Sequence, residues 1–403
     1  MPKNNCAFCN AKLKVSVLNL RKQPIANRLL KSNKQKYLKH LLHIMFCEKC
    51  KLVQSVKYID NNTLFDDYVY FSSYSKFMLL HAKKYVNEII KEINIKKNDT
   101  VIEIASNDGY LLKNFINKKI KCLGIEPAKN ISLIAKKRGI PVINNYFNYS
   151  LSTKLKKIRP KLIIANNVLA HNMNINEFIH SLSNLADNNT TITIEYPSLD
   201  NLILKNQFDT IYHEHFFYFS ATFLNKAFKK YGLKIYKAKK INIHGGSIRI
   251  YLCKRTNNKK IQQSILKILS NEKSLGLSSK KIYQNYYKKI DILKNQVRKF
   301  FDQNNNKLIF GFGAAAKGNT FLNYFSINNK NMKYIIDETP YKINKYSPGN
   351  LIQIKDISYI KKYKPNFIVI LAWNHKNEII SKLKFIKKWN GKFVIFVPKL
   401  HII

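Results

Sequence analysis

Asp99-Thr100-Val101-Ile102-Glu103-Ile104-Ala105-Ser106-Asn107-Asp108-Gly109-Tyr110-Leu111-Leu112 decides how the rest of the chain is read. An apolar strand carries an acid near its end, a tight turn of small residues follows, and a helix begins near Tyr110. This is the first strand-turn-helix unit of a doubly wound sheet, where ligands sit at the carboxyl ends of the strands. A phosphate-binding version needs Gly-x-Gly-x-x-Gly, so that backbone can approach a pyrophosphate. Here one glycine stands, with Ala105 and Asn107 where others would be. The turn therefore suits a ligand without phosphate.

Working outward, residues 121–127 give a second strand ending at Glu126, a carboxylate placed to hydrogen-bond both hydroxyls of a ribose. A third strand, 162–171, ends in Asn166, Asn167 and then His171, and a fourth ends at Glu195. The last hundred residues restart the pattern. A strand runs into Gly311-x-Gly313 and a helix start carrying Lys317 and Asn319, and further strands end at Asp337, at 371–375 and at 393–398. Lysine plus helix N-terminal amides suit a pyrophosphate, and any Rossmann-type core would show the same motif. Between the two halves, His244-Gly245-Gly246-Ser247-Ile248-Arg249 reads as a backbone nest for an anion or as a bulge. Residues 259–301 are lysine-rich with helical periodicity, and are expected to link and buttress domains.

Four of the six cysteines form two Cys-x-x-Cys knuckles, Cys6/Cys9 and Cys47/Cys50. Each knuckle offers two thiolates at a fixed bite, the pattern of a tetrahedral zinc site. With all four positions cysteine, the reading is structural zinc. The 37 residues between the knuckles require the chain to fold back on itself. Cys122 and Cys253 fall in apolar runs and read as core.

At 403 residues the chain holds two or three domains. Its net charge of +48 comes mostly from lysine spread end to end, beside abundant Asn and Ile. That mixture reads as the composition of an AT-rich coding sequence more than as a nucleic-acid surface. No apolar run approaches the roughly 20 residues of a membrane span, and the polar start is no signal peptide. The expectation is a soluble, cytoplasmic protein without membrane or nucleic-acid partners.

Gln207-Phe208-Asp209-Thr210-Ile211-Tyr212-His213-Glu214-His215 carries the densest chemistry. Histidine and tyrosine exchange protons, and a carboxylate can tune an imidazole. The histidines are two apart and so project to opposite sides, which is not the His-Glu-x-x-His spacing of a zincin.

Taken together, these motifs resemble the S-adenosylmethionine-dependent C-methyltransferases that act on nucleotide-linked 4-keto-deoxyhexoses. The resemblance rests on both knuckles, residues 67–73, 103–109, 166–171, 207–215, 244–249 and 311–319, and Pro348-Gly349, in one order along nearly the whole chain. It implies an α/β protein of three parts: a zinc-binding domain (1–72), a central class I methyltransferase domain of Rossmann-like build (73–243), and a second Rossmann-like domain that binds the nucleotide sugar (244–403). It implies His215 as the base that removes the proton on C3 of the sugar. Tyr212 and either Tyr68 or Tyr70 would stabilise the enolate oxygen, with Glu214 and His171 nearby. Glu103, Gly109 and Glu126 match donor-binding positions, and Ala105 (often glycine in class I methyltransferases), Asn107, Asp108 and Asn166 line that pocket. His244, Ser247, Arg249, Lys317 and Asn319 are the candidates for the nucleotide and its diphosphate. The competing readings are an O-methyltransferase of the same fold, a basic zinc protein binding nucleic acid, and an NAD-binding module using Gly311-x-Gly313. Sugar, nucleotide and oligomeric state are not readable.

Overall fold

The computed structural model describes residues 4–60, 64 and 71–403. Among them, chain segments whose apolar side chains alternate or recur every three to four residues assemble into three sheets with helices between. β1 (Val15–Pro24), β2 (Lys39–Phe46) and β3 (Val53–Ser55) pair antiparallel. The long β1–β2 hairpin fills the interval between the two cysteine knuckles, which is how they meet.

β4 (Thr100–Ile104), β5 (Lys121–Ile125), β6 (Val142–Ile143), β7 (Leu162–Asn166) and β8 (Thr191–Pro197) run parallel. β5 and β6 lie on one side of β4, β7 and β8 on the other, so the strand order reverses beside β4. The turns after β4 and β7 therefore open onto the crevice where such sheets hold ligands. The chain then leaves this sheet, and β9 (Phe217–Tyr218) pairs antiparallel with β3. It returns as the hairpin β10 (Leu233–Ile241) and β11 (Ser247–Lys254), which extends the central sheet antiparallel beyond β8. The turn at 243/244, where the sequence suggests a domain division, lies inside this hairpin.

The third sheet repeats the doubly wound plan. β12 (Ile309–Phe312), β13 (Tyr334–Ile336), β14 (Gln353–Lys355), β15 (Phe367–Ile370) and β16 (Lys392–Ile395) are parallel, and β17 (His401–Ile402) closes the edge antiparallel. Its order, β14-β13-β12-β15-β16-β17, again reverses beside the first strand. Gly313 follows β12 with φ +96°, and a Cβ there would meet that of Ala372 at 2.7 Å, so only glycine makes this turn.

One helix joins the outer sheets. Lys280–Gln303 buries Tyr283, Tyr286, Ile290, Leu293, Val297, Phe300 and Phe301, a three-four spacing that gives one apolar stripe. That stripe shares a core with Leu18, Ile44 and Phe46 of the first sheet and Phe310 and Val394 of the third, and its lysines face outward. The first and third sheets are thereby joined through the apolar stripe of one helix. No helix among the described residues is long and apolar enough to cross a membrane.

Candidate active site

The turn after β4 has the shape its sequence requires. Ala105 and Asn107 adopt left-handed φ of 54° and 49°, as does Gly109 at 77°, where a Cβ would meet Ile140 at 2.5 Å. Glu126, at the end of β5, accepts from the backbone N–H of Asn107 and of Ala128, both at 2.9 Å. Each carboxylate oxygen keeps a free lone pair for a further donor. Glu103 is 2% exposed and its Oε2 has no partner among the described residues. Burial first, then the carboxylates of Glu126, Asp108 and Glu195, hold its carboxyl well above the usual range. Such a group calls for a positively charged donor. Across the reversal point, Asn166 and Asn167 each present a buried amide oxygen with no partner among the described residues.

The histidine stretch is pinned from both ends. Phe208–Thr210 forms a 3-10 turn. Beyond the histidines, Phe216 N–H donates to the Ala170 carbonyl at 2.8 Å, and β9 locks onto β3. Between these anchors, His215 Nδ1 lies 2.9 Å from the Thr210 carbonyl. A carbonyl only accepts, so Nδ1 carries the hydrogen, and the lone pair of the neutral ring is on Nε2. Nε2 accepts from the Tyr212 hydroxyl at 2.9 Å. Burial first, then His171, His244 and Lys317, push the His215 pKa well below 6.5, against the pull of the Thr210 carbonyl. The result is a neutral imidazole with a fixed tautomer and a partly exposed edge. His171 packs edge-on against it, ring centroids 4.9 Å apart, and is itself pushed down to about 4 by burial.

His213 turns the other way, as residues two apart must. Its Nε2 donates to the His40 carbonyl at 3.2 Å inside the first domain. Glu214 is 2% exposed; Oε1 accepts from Asn27 Nδ2 at 2.9 Å, Oε2 has no partner among the described residues, and burial raises its pKa. The third domain reaches the same place. Lys317 donates to Asn374 Oδ1 at 2.8 Å with its ammonium 4.4 Å from the Trp373 ring, and Trp373 Nε1 donates to Asp209 Oδ2 at 2.6 Å. Burial raises the Asp209 carboxyl to about 6. A cavity of about 280 Å³ opens beside this cluster between the central and third sheets, walled by Phe71, Tyr74, His244, Tyr341, Asn374 and His375.

In the first domain, the Sγ atoms of Cys6, Cys9, Cys47 and Cys50 all lie within 4.8 Å of one another. The closest pairs, Cys6–Cys50 and Cys9–Cys47, are 3.4 and 3.5 Å apart. A tetrahedral ion with Zn–S bonds of about 2.3 Å needs sulfurs about 3.8 Å apart. In both knuckles the residue four beyond the first cysteine, Asn10 or Lys51, is left-handed and returns its N–H to that cysteine's carbonyl. The same local fold, made twice, presents the four thiolates.

Comparison with known proteins matches the same three parts. A zinc-binding domain model covers residues 6–65, a methyltransferase domain model 74–238, and the model of the C-methyltransferase C-terminal domain 242–398. The C-methyltransferase NovU of Streptomyces niveus is 26% identical over 408 residues, spanning 100% of this chain and 97% of that protein. The chain therefore carries, in order, a zinc-binding domain, a methyltransferase domain and a C-methyltransferase C-terminal domain.

Solved structures similar to parts of this chain include a chain of the Haloferax volcanii Trm112 activator–methyltransferase complex (10% identity, TM-score 0.37, 44% of this chain and 92% of that one). Another is the magnesium protoporphyrin IX methyltransferase of Synechocystis with bound S-adenosylmethionine (12%, 0.33, 47% and 86%). The methyltransferase and zinc-binding domain matches call for S-adenosylmethionine as methyl donor and a structural zinc. The chain's residues fit both. The four thiolates form a closed donor set for zinc. The buried, unpartnered Glu103 oxygen fits the ammonium of the donor's methionine part, and Glu126 keeps acceptor capacity for ribose hydroxyls.

Not every residue expected at the site is placed there. Ser247 donates to the Ile243 carbonyl at 3.1 Å and closes the β10–β11 turn. Arg249, expected to hold the diphosphate, is 1% exposed within the central sheet, its Nε 2.6 Å from Glu195 and its guanidinium 4.2 Å from the Tyr85 ring. It lies opposite Glu195 in the strand register, so its side chain is directed into that pair and away from the crevice. Asn319 commits its Nδ2 to the Ala26 carbonyl at 2.6 Å, tying third domain to first, while its Oδ1 is buried without a partner among the described residues. Tyr68 and Tyr70 lie outside the described residues. Asn27, Asp209 and Trp373 were not singled out by sequence. Asp209 stood in the quoted stretch and Trp373 at a strand end, but Asn27 carries no motif.

Proposed function

We propose that this protein is a C-methyltransferase that transfers the methyl group to C3 of a nucleotide-linked 4-keto-deoxysugar, with His215 as the base. The carrying observation is the neutral His215, its Nε2 lone pair held against the Tyr212 hydroxyl where all three parts of the chain meet. A ketone at C4 acidifies the C3 hydrogen, because the carbanion delocalises as an enolate. His215 Nε2 takes that proton, and the Thr210 carbonyl on Nδ1–H steadies the imidazolium that forms. Tyr212 swings its hydroxyl hydrogen from Nε2 to the enolate oxygen, with Tyr68 or Tyr70 as the second donor that the family resemblance implies. S-adenosylmethionine, held by Glu103, Glu126 and the 105–109 turn with Asn166, supplies an electrophilic sulfonium methyl for C3. The nucleotide enters through the 280 Å³ cavity, where His244, Lys342, Asn374 (bonded to Lys317 behind it) and aromatic walls suit a base and a diphosphate. Asp337, where a dinucleotide domain would present an acid to ribose, accepts from Ala314 N–H and from Lys342 at 3.1 Å instead, which argues against the NAD reading.

The test is mass spectrometry of nucleotide 4-keto-6-deoxysugars incubated in deuterated water, with and without S-adenosylmethionine. The expected result is a product one methyl heavier and donor-independent deuterium uptake at C3. Methylation without exchange, or of substrates lacking the ketone, would shift the reading to O-methylation. The pH profile carries a second expectation. His215 must be neutral to act and its pKa lies well below 6.5, so the acid limb of kcat/KM is expected below pH 6.5. A limb centred at 7 or higher would remove the neutral-histidine assignment.

A further inference from the structure

The groups proposed to hold the donor have little open surface. Glu103, Ser106, Asn107, Asp108 and Glu126 are each 8% exposed or less. A ligand of the donor's size reaches them only when a covering segment moves. Residues 71–75 lie across that turn. Ser72 N–H donates to Asn107 Oδ1 at 2.9 Å and Ser73 N–H to Asp108 Oδ2 at 3.3 Å. Arg138, just past the helix Lys129–Lys137, closes over both. Its Nη1 lies 2.9 Å from Asp108 Oδ2 and donates to the Asp108 carbonyl at 3.0 Å, and its Nη2 donates to Ser73 Oγ at 3.2 Å.

We propose that residues 71–75 form a strap over the donor pocket and that Arg138 is its latch, a positioning residue that sets how fast the donor enters and leaves. This rests on the donor and acceptor placement proposed above. The segment is built to move. It is a single 3-10 turn, Ser72–Tyr74, whose only buried residue is a serine, and Tyr74 is 65% exposed. Among the described residues, its polar ties to the donor turn are three hydrogen bonds, Ser72 to Asn107, Ser73 to Asp108 and Arg138 to Ser73, with Arg138 itself 35% exposed and anchored by its ion pair with the buried Asp108. Segments held this way open at small free-energy cost, as lids do.

The strap has a second face. Phe71, Tyr74 and Ser75 wall the 280 Å³ cavity opposite Tyr341 and His375. One short segment is therefore the shared wall of the donor pocket and the proposed acceptor cavity. A ligand that fixes the strap from one side changes affinity on the other, and by the same factor in both directions.

The experiment is stopped-flow binding of S-adenosylhomocysteine to the full zinc-loaded chain, wild type against Arg138→Ala, with Arg138→Lys and Ser73→Ala alongside. A latch holds the closed state, so its loss raises association and dissociation rates together, each by about ten-fold, with Kd changing less than about three-fold. Lysine is expected to restore the ion pair in part. If only dissociation quickens, Arg138 merely supports the bound ligand and the strap is overturned. Unchanged rates in both Arg138→Ala and Ser73→Ala overturn it equally. Failure of the wild type to bind S-adenosylhomocysteine would instead remove the donor placement, and the strap with it.

Discussion

Replacing His215 by asparagine is expected to lower turnover at least ~10³-fold while leaving the affinity for S-adenosylhomocysteine within about two-fold. The loss is large because His215 is argued to be the base itself, and no neighbour can replace it. His171, the imidazole packed against it, stands edge-on with ring centroids 4.9 Å apart. Glu214 points its one bonded oxygen at Asn27. Deuterium uptake at C3 should disappear with turnover. Tyr212→Phe should cost less, about 10- to 100-fold, since it removes one donor to the enolate oxygen and leaves the base in place. Retained exchange in His215→Asn would end the assignment. Equal losses in both variants would instead mark Tyr212 and His215 as one inseparable unit.

Removal of zinc, or Cys47→Ser, is expected to abolish turnover as completely, from the neighbouring domain. The route is mechanical. Cys50 leads within three residues into β3, β3 pairs with β9, and β9 begins two residues after His215. Ala7 of the other knuckle donates its N–H to Gln54 of β3 at 2.8 Å, so both knuckles bear on that strand. A structural zinc contributes on the order of 10 kcal/mol to the fold it closes. Without it β3 has no fixed edge, β9 loses its partner, and the Thr210–His215–Tyr212 arrangement loses one of its two anchors. The checks are metal content of one zinc per chain, thermal melting before and after chelation, and turnover on re-addition of zinc. A chelated chain that keeps its melting transition and its turnover would show that the cluster is not structural.

Some of this was written in short stretches of sequence and some was not. The turn after β4, the acid at the end of β5 and the cysteine knuckles are local. Each is fixed by a few residues whose backbone angles and spacing admit one arrangement, as with Gly109 against Ile140 and the matched left-handed residues Asn10 and Lys51. The two-residue spacing of His213 and His215 likewise determined that they face different parts of the protein. The resemblance of eight motifs in one order extended this to the three-part build.

What the sequence by itself determined is therefore the fold class, the zinc site and the set of chemical groups available. Tertiary structure alone decided how those groups are used. That Arg249 serves Glu195 rather than a diphosphate follows from strand register, which no local signal around residue 249 specifies. That Glu214 is held by Asn27, and Asp209 by Trp373, depends on contacts across 187 and 164 residues. Local patterns act through the stiffness of the backbone over a few residues, whereas side-chain pairing between domains is set by packing of distant surfaces, and that information resides only in the assembled fold.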